Sequence, residues 1–357
     1  MESMYDDAVE VVENRPLTGG HFILSLYSPR QAQAARPGQF AMVRLLGRSD
    51  VLLRRPMSIY DVAPDLSADV KQVLSPEESG FGVRGSGFEE RTSPASSSAN
   101  PKSQIANPDS SANPESRTPS PGSFPRPELR IANPDLSGEK AGATKTIVQL
   151  LYKVVGRGTR LMAELKPGDR VGMLAPLGHG FFEEEYLDRA RAADEILHVA
   201  GGIGIAALLL PARQLAGGGL RQRLFFGGRT QDDLAGLDKF DSVVDEIVLA
   251  TEDGSRGYRG FVTGPLQEYL AVHRGKKFLM MVCGPWAMLE ASVKLAKRYG
   301  QACLVSMENR MGCGLGVCLG CSIRVDGTGH AAYERVCTEG PVFWAEKVIW
   351  QKEALPL

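Results

Sequence analysis

The sequence has few cysteines and histidines and no excess of charge of either sign. Six cysteines and five histidines occur in 357 residues, and 41 basic side chains are matched by 42 acidic ones, for a formal net charge of −1. This balance gives no reason to expect nucleic acid or another polyanion as a ligand. Six cysteines in a chain of this length also argue against a disulfide framework, so a group of cysteines is better explained by metal or cluster binding.

Long apolar runs are also missing. The longest apolar stretch without a charged side chain, residues 196–212, contains three glycines and a proline. It is shorter than the roughly 20 apolar residues of a membrane-spanning helix. The chain begins MESMYDDAVEVVENRPL, which lacks the basic-then-apolar order of a secretory signal. These absences predict a cytoplasmic protein that does not associate with a membrane.

The remaining pattern predicts an α/β plus β protein of two or three domains. Short β-branched and aromatic runs between residues 8 and 62 resume after Thr144, which is typical of one antiparallel β-barrel made from residues 1–62 and 144–190. Alternating strands and helices predict a doubly wound α/β domain over residues 191–304. The cysteine-rich block and an aromatic tail form a last module, residues 305–357.

Residues 63–143 separate the two halves of the predicted barrel. Between Arg91 and Lys140 there are nine prolines, eleven serines and a single aromatic residue, and the phrase IANPD occurs twice. Such a segment buries too little apolar surface to offset its chain entropy. We predict a disordered low-complexity insertion at a loop tip; the functional alternative is a docking arm.

Two glycine-containing turns follow strands of the predicted α/β domain. Gly201, Gly202 and Gly204 come after the strand ILHVA, and the sequence Cys283-Gly284-Pro285 follows the strand LMMV. Bare backbone at such a turn can approach a pyrophosphate at the carboxyl edge of a parallel sheet. The turn alone is a weak signal, because tight packing produces the same pattern.

Two strands of the predicted barrel carry residues that suit a flavin dinucleotide. An arginine pair and glycine-bounded hydroxyls fit a diphosphate, and an aromatic side chain beside them fits an isoalloxazine ring. These residues are Arg54, Arg55, Ser58, Tyr152, Gly156, Gly158 and Thr159. An ordinary surface hairpin with turn glycines explains the same pattern equally well.

The cysteines near the C-terminus are the most specific signal. Cys313, Cys318 and Cys321 have the C-x4-C-x2-C spacing of plant-type [2Fe-2S] clusters, and Cys337 follows. Interspersed glycines allow the backbone to wrap around a cluster. Zinc is the alternative, although zinc sites usually have two close pairs separated by a longer loop. The thiols of Cys283 and Cys303 lie outside this spacing and are expected to be buried and inert.

Taken in order, several motifs resemble the electron-transfer subunit of NAD-linked dihydroorotate dehydrogenase. They are RRPMSIYD, LYKVVGRGT, PLGHGF, AGGIGIA, TEDGSRGYRGFVT, CGPWAML and MGCGLGVCLGCSI with VCTEGPVF. The resemblance implies a ferredoxin-reductase-like fold with an FAD-binding barrel, an NAD-binding α/β domain and a [2Fe-2S] module. It covers the chain to about Trp344 except for residues 63–143. Ala207 departs from the wider superfamily, where proline is frequent.

The resemblance also implies roles for particular residues. The cluster ligands would be Cys313, Cys318, Cys321 and Cys337. The contacts to FAD would come from Arg55, Pro56, Met57, Ser58, Leu151, Tyr152, Lys153, Gly158 and Thr159. NAD would lie against Gly201, Gly202, Gly204, Cys283, Gly284 and Pro285. The implied partner is an FMN-containing catalytic subunit, in a heterotetramer with two copies of each chain.

The function that follows is electron transfer in pyrimidine (UMP) biosynthesis. A cluster carries single electrons, nicotinamide accepts a hydride, and flavin can do both. We therefore expect electrons from dihydroorotate to reach NAD⁺ through the cluster and FAD, with no catalytic side chain. The alternatives are the small subunit of a sulfide dehydrogenase or ferredoxin:NADP⁺ oxidoreductase with the same modules, and a zinc-stabilised binding module. No clear basic cluster for a 2′-phosphate follows FGGRT.

Overall fold

The computed structural model describes residues 4–48, 50–51, 53–64, 145–327 and 330–350. The predicted insertion falls outside these ranges except for its first two residues, Ala63 and Pro64, which belong to a strand. Its disorder therefore stays a prediction. None of the helices in the described ranges combines the length and the apolar character that a bilayer crossing requires.

Six antiparallel strands close into a barrel near the N-terminus. The strands are β1 (Tyr5–Pro16), β2 (His21–Tyr27), β3 (Phe40–Leu45), β4 (Arg55–Pro64), β5 (Lys145–Lys153) and β6 (Arg170–Leu177). They are hydrogen bonded in the closed order β1-β2-β5-β4-β3-β6. Alternate side chains of β5, including Val148 and Leu150, fill the interior, as the period of two in the sequence requires. Two short helices flank the barrel, α1 (Pro29–Ala34) and α2 (Arg157–Ala163).

A seven-stranded sheet follows after helix α3 (Glu184–Arg191). Its strands are β7 (Glu195–Gly201), β8 (Arg221–Gly228), β9 (Glu246–Thr251), β10 (Tyr258–Arg259), β11 (Phe278–Cys283), β12 (Ala302–Ser306) and β15 (Val342–Trp344). Its helices are α4 (Leu209–Leu215), α5 (Thr263–Val272) and α6 (Trp286–Tyr299). The order is β10-β9-β8-β7-β11-β12-β15, and only the pairing of β15 with β12 is antiparallel.

Burial explains why the central strands read as continuous apolar runs. Every residue of β7 and β11 is buried, as expected for parallel strands covered on both faces. Residues 307–321, between β12 and β13, form the cysteine loop. A separate two-stranded hairpin, β13 (Ser322–Gly327) and β14 (His330–Arg335), lies between this loop and β15 in the chain. The predicted fold class, a β-barrel with a doubly wound α/β domain and a C-terminal module, is confirmed.

The barrel and the α/β sheet share a packed and partly charged interface. The turn at Gly202–Ala207 packs against β4 and β5, and the Tyr60 hydroxyl donates a hydrogen bond to the Gly236 carbonyl over 2.6 Å. Asp61, only 2% exposed, accepts hydrogen bonds from Lys239 Nζ at 2.6 Å and Arg213 Nη2 at 3.3 Å. These contacts fix the barrel relative to the sheet.

Removing the Asp61 carboxylate should therefore destabilise the protein strongly. We expect Asp61→Ala to lower the free energy of unfolding by about 3 kcal/mol, because it removes a buried carboxylate that pairs with two partly buried cations, Lys239 and Arg213. Chemical denaturation measures the loss. Asp188→Ala is the matched control, since its carboxylate is 93% exposed and pairs only with Arg191 nearby, and it should cost less than about 0.5 kcal/mol. Equal losses in the two variants would contradict this account of the interface.

Candidate functional site

The four cysteines of the C-terminal block form two pairs. The sulfur atoms of Cys321 and Cys337 lie 3.2 Å apart, and the thiol of Cys313 interacts with that of Cys318. Cys321 and Cys337 are buried, whereas Cys318 is exposed. One pair therefore combines a residue of the loop with a residue that follows β14, and the other pair lies within the loop.

The backbone of the loop is shaped to surround these sulfur atoms. The N–H of Leu315 donates to Cys313 Sγ at 3.3 Å, and the N–H of Gly316 donates to Cys337 Sγ at 3.2 Å. Gly314 has φ 74° and Gly316 has φ 76°, values that glycine adopts without strain. Leu319, with φ 56°, is the one non-glycine residue with positive φ in the described ranges. A strained residue inside a ligand loop is typical of a functional site.

The thiols of the two pairs differ in acidity. Burial, the largest single influence, raises the pKa of Cys313, but hydrogen bonds from Leu315 and from Cys318 outweigh it and lower that pKa to about 6. Burial and then the neighbouring Cys321 thiol raise the pKa of Cys337 to about 12. Because metal binding requires the thiolate, ligation of a metal by Cys337 would release its proton.

This donor set fits a two-iron cluster better than a single zinc ion. A [2Fe-2S] cluster has four cysteine ligands shared by two irons, which matches two cysteine pairs. Backbone N–H groups directed at sulfur are likewise a feature of cluster sites.

Arg335 forms a hydrogen bond with the backbone of the cysteine loop, and sequence reasoning missed this residue. Its Nη1 donates to the Gly316 carbonyl at 3.0 Å, while its Nε donates to Glu339 Oε2 at 2.9 Å. The Arg335 guanidinium, hydrogen bonded to Glu339, lowers the pKa of that carboxyl to about 2. The four-residue spacing of this ion pair was visible in the sequence, but its contact with Gly316 depends on tertiary structure.

The cysteine loop lies against strand β3 of the barrel. A Cβ atom on Gly314 would come within 2.6 Å of Met42 Cγ. Met42 on β3 is the register partner of Pro56 on β4. Only one strand therefore separates the loop from the residues that were predicted to bind FAD.

The predicted flavin residues of β4 point in two directions. Met57 is buried in the barrel interior, whereas the alternation of the strand places Ser58 on the face of Tyr60, which packs on the α/β sheet. The side chain of Arg55, the first residue of β4, reaches the start of helix α2. A Cβ atom on Gly158 would come within 2.6 Å of Arg55 Nε. Glycine at position 158 therefore leaves room for the guanidinium group.

The β5 residues divide in the same way. Leu151 and Lys153 point toward the α/β sheet; Leu151 joins the apolar core there, and Lys153 forms an ion pair with Asp233. The hydroxyl of Thr159 accepts hydrogen bonds from the N–H groups of Val155 and Gly156 at 3.0 and 3.1 Å. The turn between β5 and α2 is thus held in shape by one of the predicted side chains.

The ring of Tyr152 packs inside the barrel. The side chain is 3% exposed inside the barrel, stacked on Phe22 with ring centroids 5.4 Å apart, and its hydroxyl donates to Asn14 Oδ1 at 3.1 Å. Burial raises its pKa to about 12. The ring therefore packs within the barrel, and the predicted contact of Tyr152 with FAD stays a prediction.

A cavity of about 740 Å³ opens along the carboxyl edge of the α/β sheet. This volume is in the range of small-molecule and cofactor sites. Its wall includes Gly201, Gly202, Gly227, Gly228, Glu252, Phe261, Gly284, Pro285, Glu308 and, from the barrel, His21 and Lys153. The edge is where ligands of open α/β sheets bind.

The predicted glycines serve two purposes in this cavity. Gly201, Gly202, Gly284 and Pro285 line it. Gly204 does not; a Cβ atom there would lie 2.3 Å from the Cys283 carbonyl oxygen, so Gly204 permits the turn to pack against β11. Cys283 is buried beneath the cavity, and burial and then Glu308 raise the pKa of its thiol. The expectation that the Cys283 and Cys303 thiols are buried is confirmed.

Sequence reasoning missed the acidic and aromatic residues of the wall. Glu252 follows β9, Glu308 follows β12, and Phe261 precedes helix α5. Glu308 is accessible from the cavity, yet the protein surrounds it closely enough that desolvation raises its pKa. The signal that could have found the two glutamates is their position directly after parallel strands.

Comparison with known proteins identifies the family. A family model described as the iron-sulfur cluster binding domain of dihydroorotate dehydrogenase B matches residues 308–349. A Desulforamulus reducens protein named dihydroorotate dehydrogenase B (NAD(+)), electron transfer subunit, is 34% identical over 207 residues, which are 58% of this chain and 76% of the relative. The chain belongs to this family of electron-transfer subunits. A relative of the same name from Geobacillus thermodenitrificans is 39% identical over 202 residues, 56% of this chain and 73% of its own.

Two solved structures share the fold of this electron-transfer subunit. An NADH-dependent reduced ferredoxin-NADP oxidoreductase, described in connection with flavin-based electron bifurcation, aligns with a TM-score of 0.64 at 23% identity, covering 96% of this chain and 90% of that one. The CS-b5R domains of human Ncb5or align with a TM-score of 0.51 at 13% identity, covering 83% and 67%. These similarities support the fold, and the resemblance inferred from the motifs is confirmed.

Proposed function

We propose that this chain passes electrons from dihydroorotate oxidation on a separate catalytic subunit to NAD⁺, in de novo pyrimidine (UMP) biosynthesis. It would hold a [2Fe-2S] cluster through Cys313, Cys318, Cys321 and Cys337 and FAD against β4, β5 and the start of α2. NAD⁺ would bind in the cavity at the sheet edge. The domain limits, 1–62 with 144–190, 63–143, 191–304 and 305–357, are part of this proposal, as is a cytoplasmic location.

The observation that carries the proposal is the contiguity of the three sites. The cysteine loop packs on Met42 of β3, β3 pairs with β4, and β4 and β5 pack on the Gly202–Ala207 turn that borders the cavity. A path from the cysteine loop to the nucleotide cavity therefore crosses the predicted flavin strands. This order supports an electron relay in which FAD lies between the cluster and the nucleotide.

The residues of this chain would bind the cofactors, orient them and shield them from water. When bound, FAD supplies the exchange between single-electron chemistry and hydride transfer to nicotinamide. Arg55 and the Thr159-capped turn are placed to hold the diphosphate, and Leu151 with Tyr60 closes the interface against water. Gly201 and Gly202 leave bare backbone beside the cavity. No side chain is assigned as a general acid or base.

The partner of the chain follows from the family name, which describes a subunit. We propose a catalytic subunit that carries FMN, in a heterotetramer with two copies of each chain. The cysteine loop has an exposed apolar surface around the cysteines, formed by Leu315, Val317 and Leu319. Such a surface suits a contact with another subunit. A glutamate-synthase-like flavoprotein as partner would instead indicate the sulfide dehydrogenase or ferredoxin:NADP⁺ oxidoreductase alternative.

Anaerobic titration of the purified full-length chain with NADH tests the cofactor part of this proposal. We expect flavin and iron-sulfur absorbance in the visible spectrum, and both signals should decrease on addition of NADH. Colourless protein that contains zinc would overturn the cluster and the flavin together. Mass spectrometry of the chain that copurifies tests the partner.

A further inference from the structure

The nucleotide cavity has two distinct ends. Its wall follows the carboxyl ends of β9, β8, β7 and β11 in the order of the sheet, which corresponds to roughly 14 Å at the usual strand spacing. The β7 and β11 end lies beside the turn that packs on the flavin strands, so under the proposed function the nicotinamide ring belongs there. The opposite end, at β9, is then the place for the adenosine.

The β9 end has a free carboxylate and an exposed aromatic ring. In the described part of the chain the Glu252 side chain makes no hydrogen bond or ion pair, and it is exposed on the cavity wall. Phe261 is 68% exposed and lines the same cavity. An exposed ring in a cavity wall suits stacking with a planar base. The two side chains together fit an adenine and its ribose.

The backbone holds Glu252 firmly in this position. Its N–H donates to the Gly228 carbonyl at 3.1 Å, which ties it to the end of β8. In the turn that follows, Asp253 Oδ1 accepts from the N–H of Ser255 at 2.9 Å, and Ser255 Oγ accepts from the N–H of Gln231 at 2.8 Å. The carboxylate of Glu252 is thus presented from a hydrogen-bonded turn.

The charges of the wall disfavour an additional phosphate. Its two cations are Lys153 and Arg229 in the described ranges, and both form ion pairs with Asp233. Glu252 and Glu308 add two further carboxylates without a cation beside them in the part of the wall that the structure describes. Two other arginines near β9, Arg256 and Arg259, do not line the cavity.

We propose that Glu252 makes the cavity select NAD(H) over NADP(H), with Phe261 as the platform for the adenine. A carboxylate accepts hydrogen bonds from the 2′-hydroxyl of the adenosine ribose, whereas a 2′-phosphate needs a cation at this point. The proposal rests on the proposed function, since it places the nicotinamide nucleotide in this cavity. The sequence alone could not assign these two residues to one site, because Glu252 and Phe261 lie on different turns.

Binding of ADP-ribose and 2′-phospho-ADP-ribose to the full-length chain tests this assignment without turnover. We expect the wild type to prefer ADP-ribose. Glu252→Gln should reduce that preference by roughly 10-fold, because the amide oxygen can still accept from a 2′-hydroxyl but the negative charge that strengthens this bond and repels a phosphate is lost. Glu252→Arg should reverse the preference. Glu268→Gln is the charge-matched control on the exposed side of α5 and should keep the wild-type ratio. Phe261→Leu should weaken both probes equally.

The outcomes separate this inference from the function on which it rests. Thermal denaturation checks that Glu252→Gln and Glu252→Arg are folded. If both folded variants keep the wild-type ratio of the two affinities within about twofold, the assignment of Glu252 is wrong, because the loss of a charge-assisted interaction would change the ratio more than this. The NAD site would then survive, because the wild type still binds ADP-ribose. If the wild type binds neither probe, the site itself is wrong, and both proposals fall.

Discussion

Replacing Cys337 by serine is expected to remove the iron-sulfur absorbance of the purified chain. Cys337 is buried, its sulfur lies 3.2 Å from that of Cys321, and the Gly316 N–H is directed at it. Loss of one of four ligands leaves one iron under-coordinated, and a hard hydroxyl is a poor replacement for a thiolate. We expect less than about one tenth of the wild-type iron and sulfide per chain, as measured by chemical analysis, with the flavin retained.

Cys303→Ser is the matched control for this experiment. Cys303 is also buried, but it lies in β12 and outside the cysteine loop. It should keep the full iron content, although the buried hydroxyl costs some stability. A Cys337→Ser protein with a normal cluster would show that the ligand set is wrong, whereas loss of the cluster in both variants would indicate a general folding defect.

Replacing Gly204 by alanine is expected to destabilise the nucleotide domain strongly. The new Cβ atom would lie 2.3 Å from the oxygen and 2.5 Å from the carbon of the Cys283 carbonyl. Both are backbone atoms, so no side-chain rotation relieves the overlap, and the turn must move away from β11. We expect a loss of about 3 kcal/mol or more in the free energy of unfolding, as for other severe overpacking, together with loss of NADH-dependent flavin reduction.

Gly300→Ala separates this steric effect from backbone strain. Gly300 ends helix α6 with φ 64°, and a Cβ atom there meets nothing within 4 Å. Its replacement should lower the free energy of unfolding by only about 1 kcal/mol, as is usual for a left-handed non-glycine residue, and leave NADH-dependent flavin reduction unchanged. Similar losses from the two alanine variants would contradict the close packing of the turn on β11.

Local patterns in the sequence were enough to predict an iron-sulfur cluster in the C-terminal module. The cysteine spacing, the intervening glycines and the strand-to-helix turn at Gly201 each lie within a short segment, and short segments dictate their own backbone conformation. The barrel and the sheet were predictable for the same reason, because strand periodicity survives the long interruption between β4 and β5. What a single segment encodes could be predicted directly.

Contacts between distant segments could not be predicted in this way. The orientation of Tyr152 depends on the register of β5, where a shift of one residue exchanges the inner and outer faces. Arg335 reaches Gly316 only because β14 folds back on the cysteine loop. Glu252 and Phe261 share a cavity wall because of the order of the strands in the sheet, which the sequence does not state.

The central claim is that this chain connects dihydroorotate oxidation with NAD⁺. The most direct test is anaerobic NAD⁺ reduction by dihydroorotate in the purified complex, with the catalytic subunit alone and the complex containing Cys337→Ser as comparisons. We predict NADH formation by the wild-type complex and no detectable formation in either comparison. A complex that oxidises NADH with ferredoxin or polysulfide, yet neither reduces NAD⁺ with dihydroorotate nor oxidises NADH with orotate, would contradict the account.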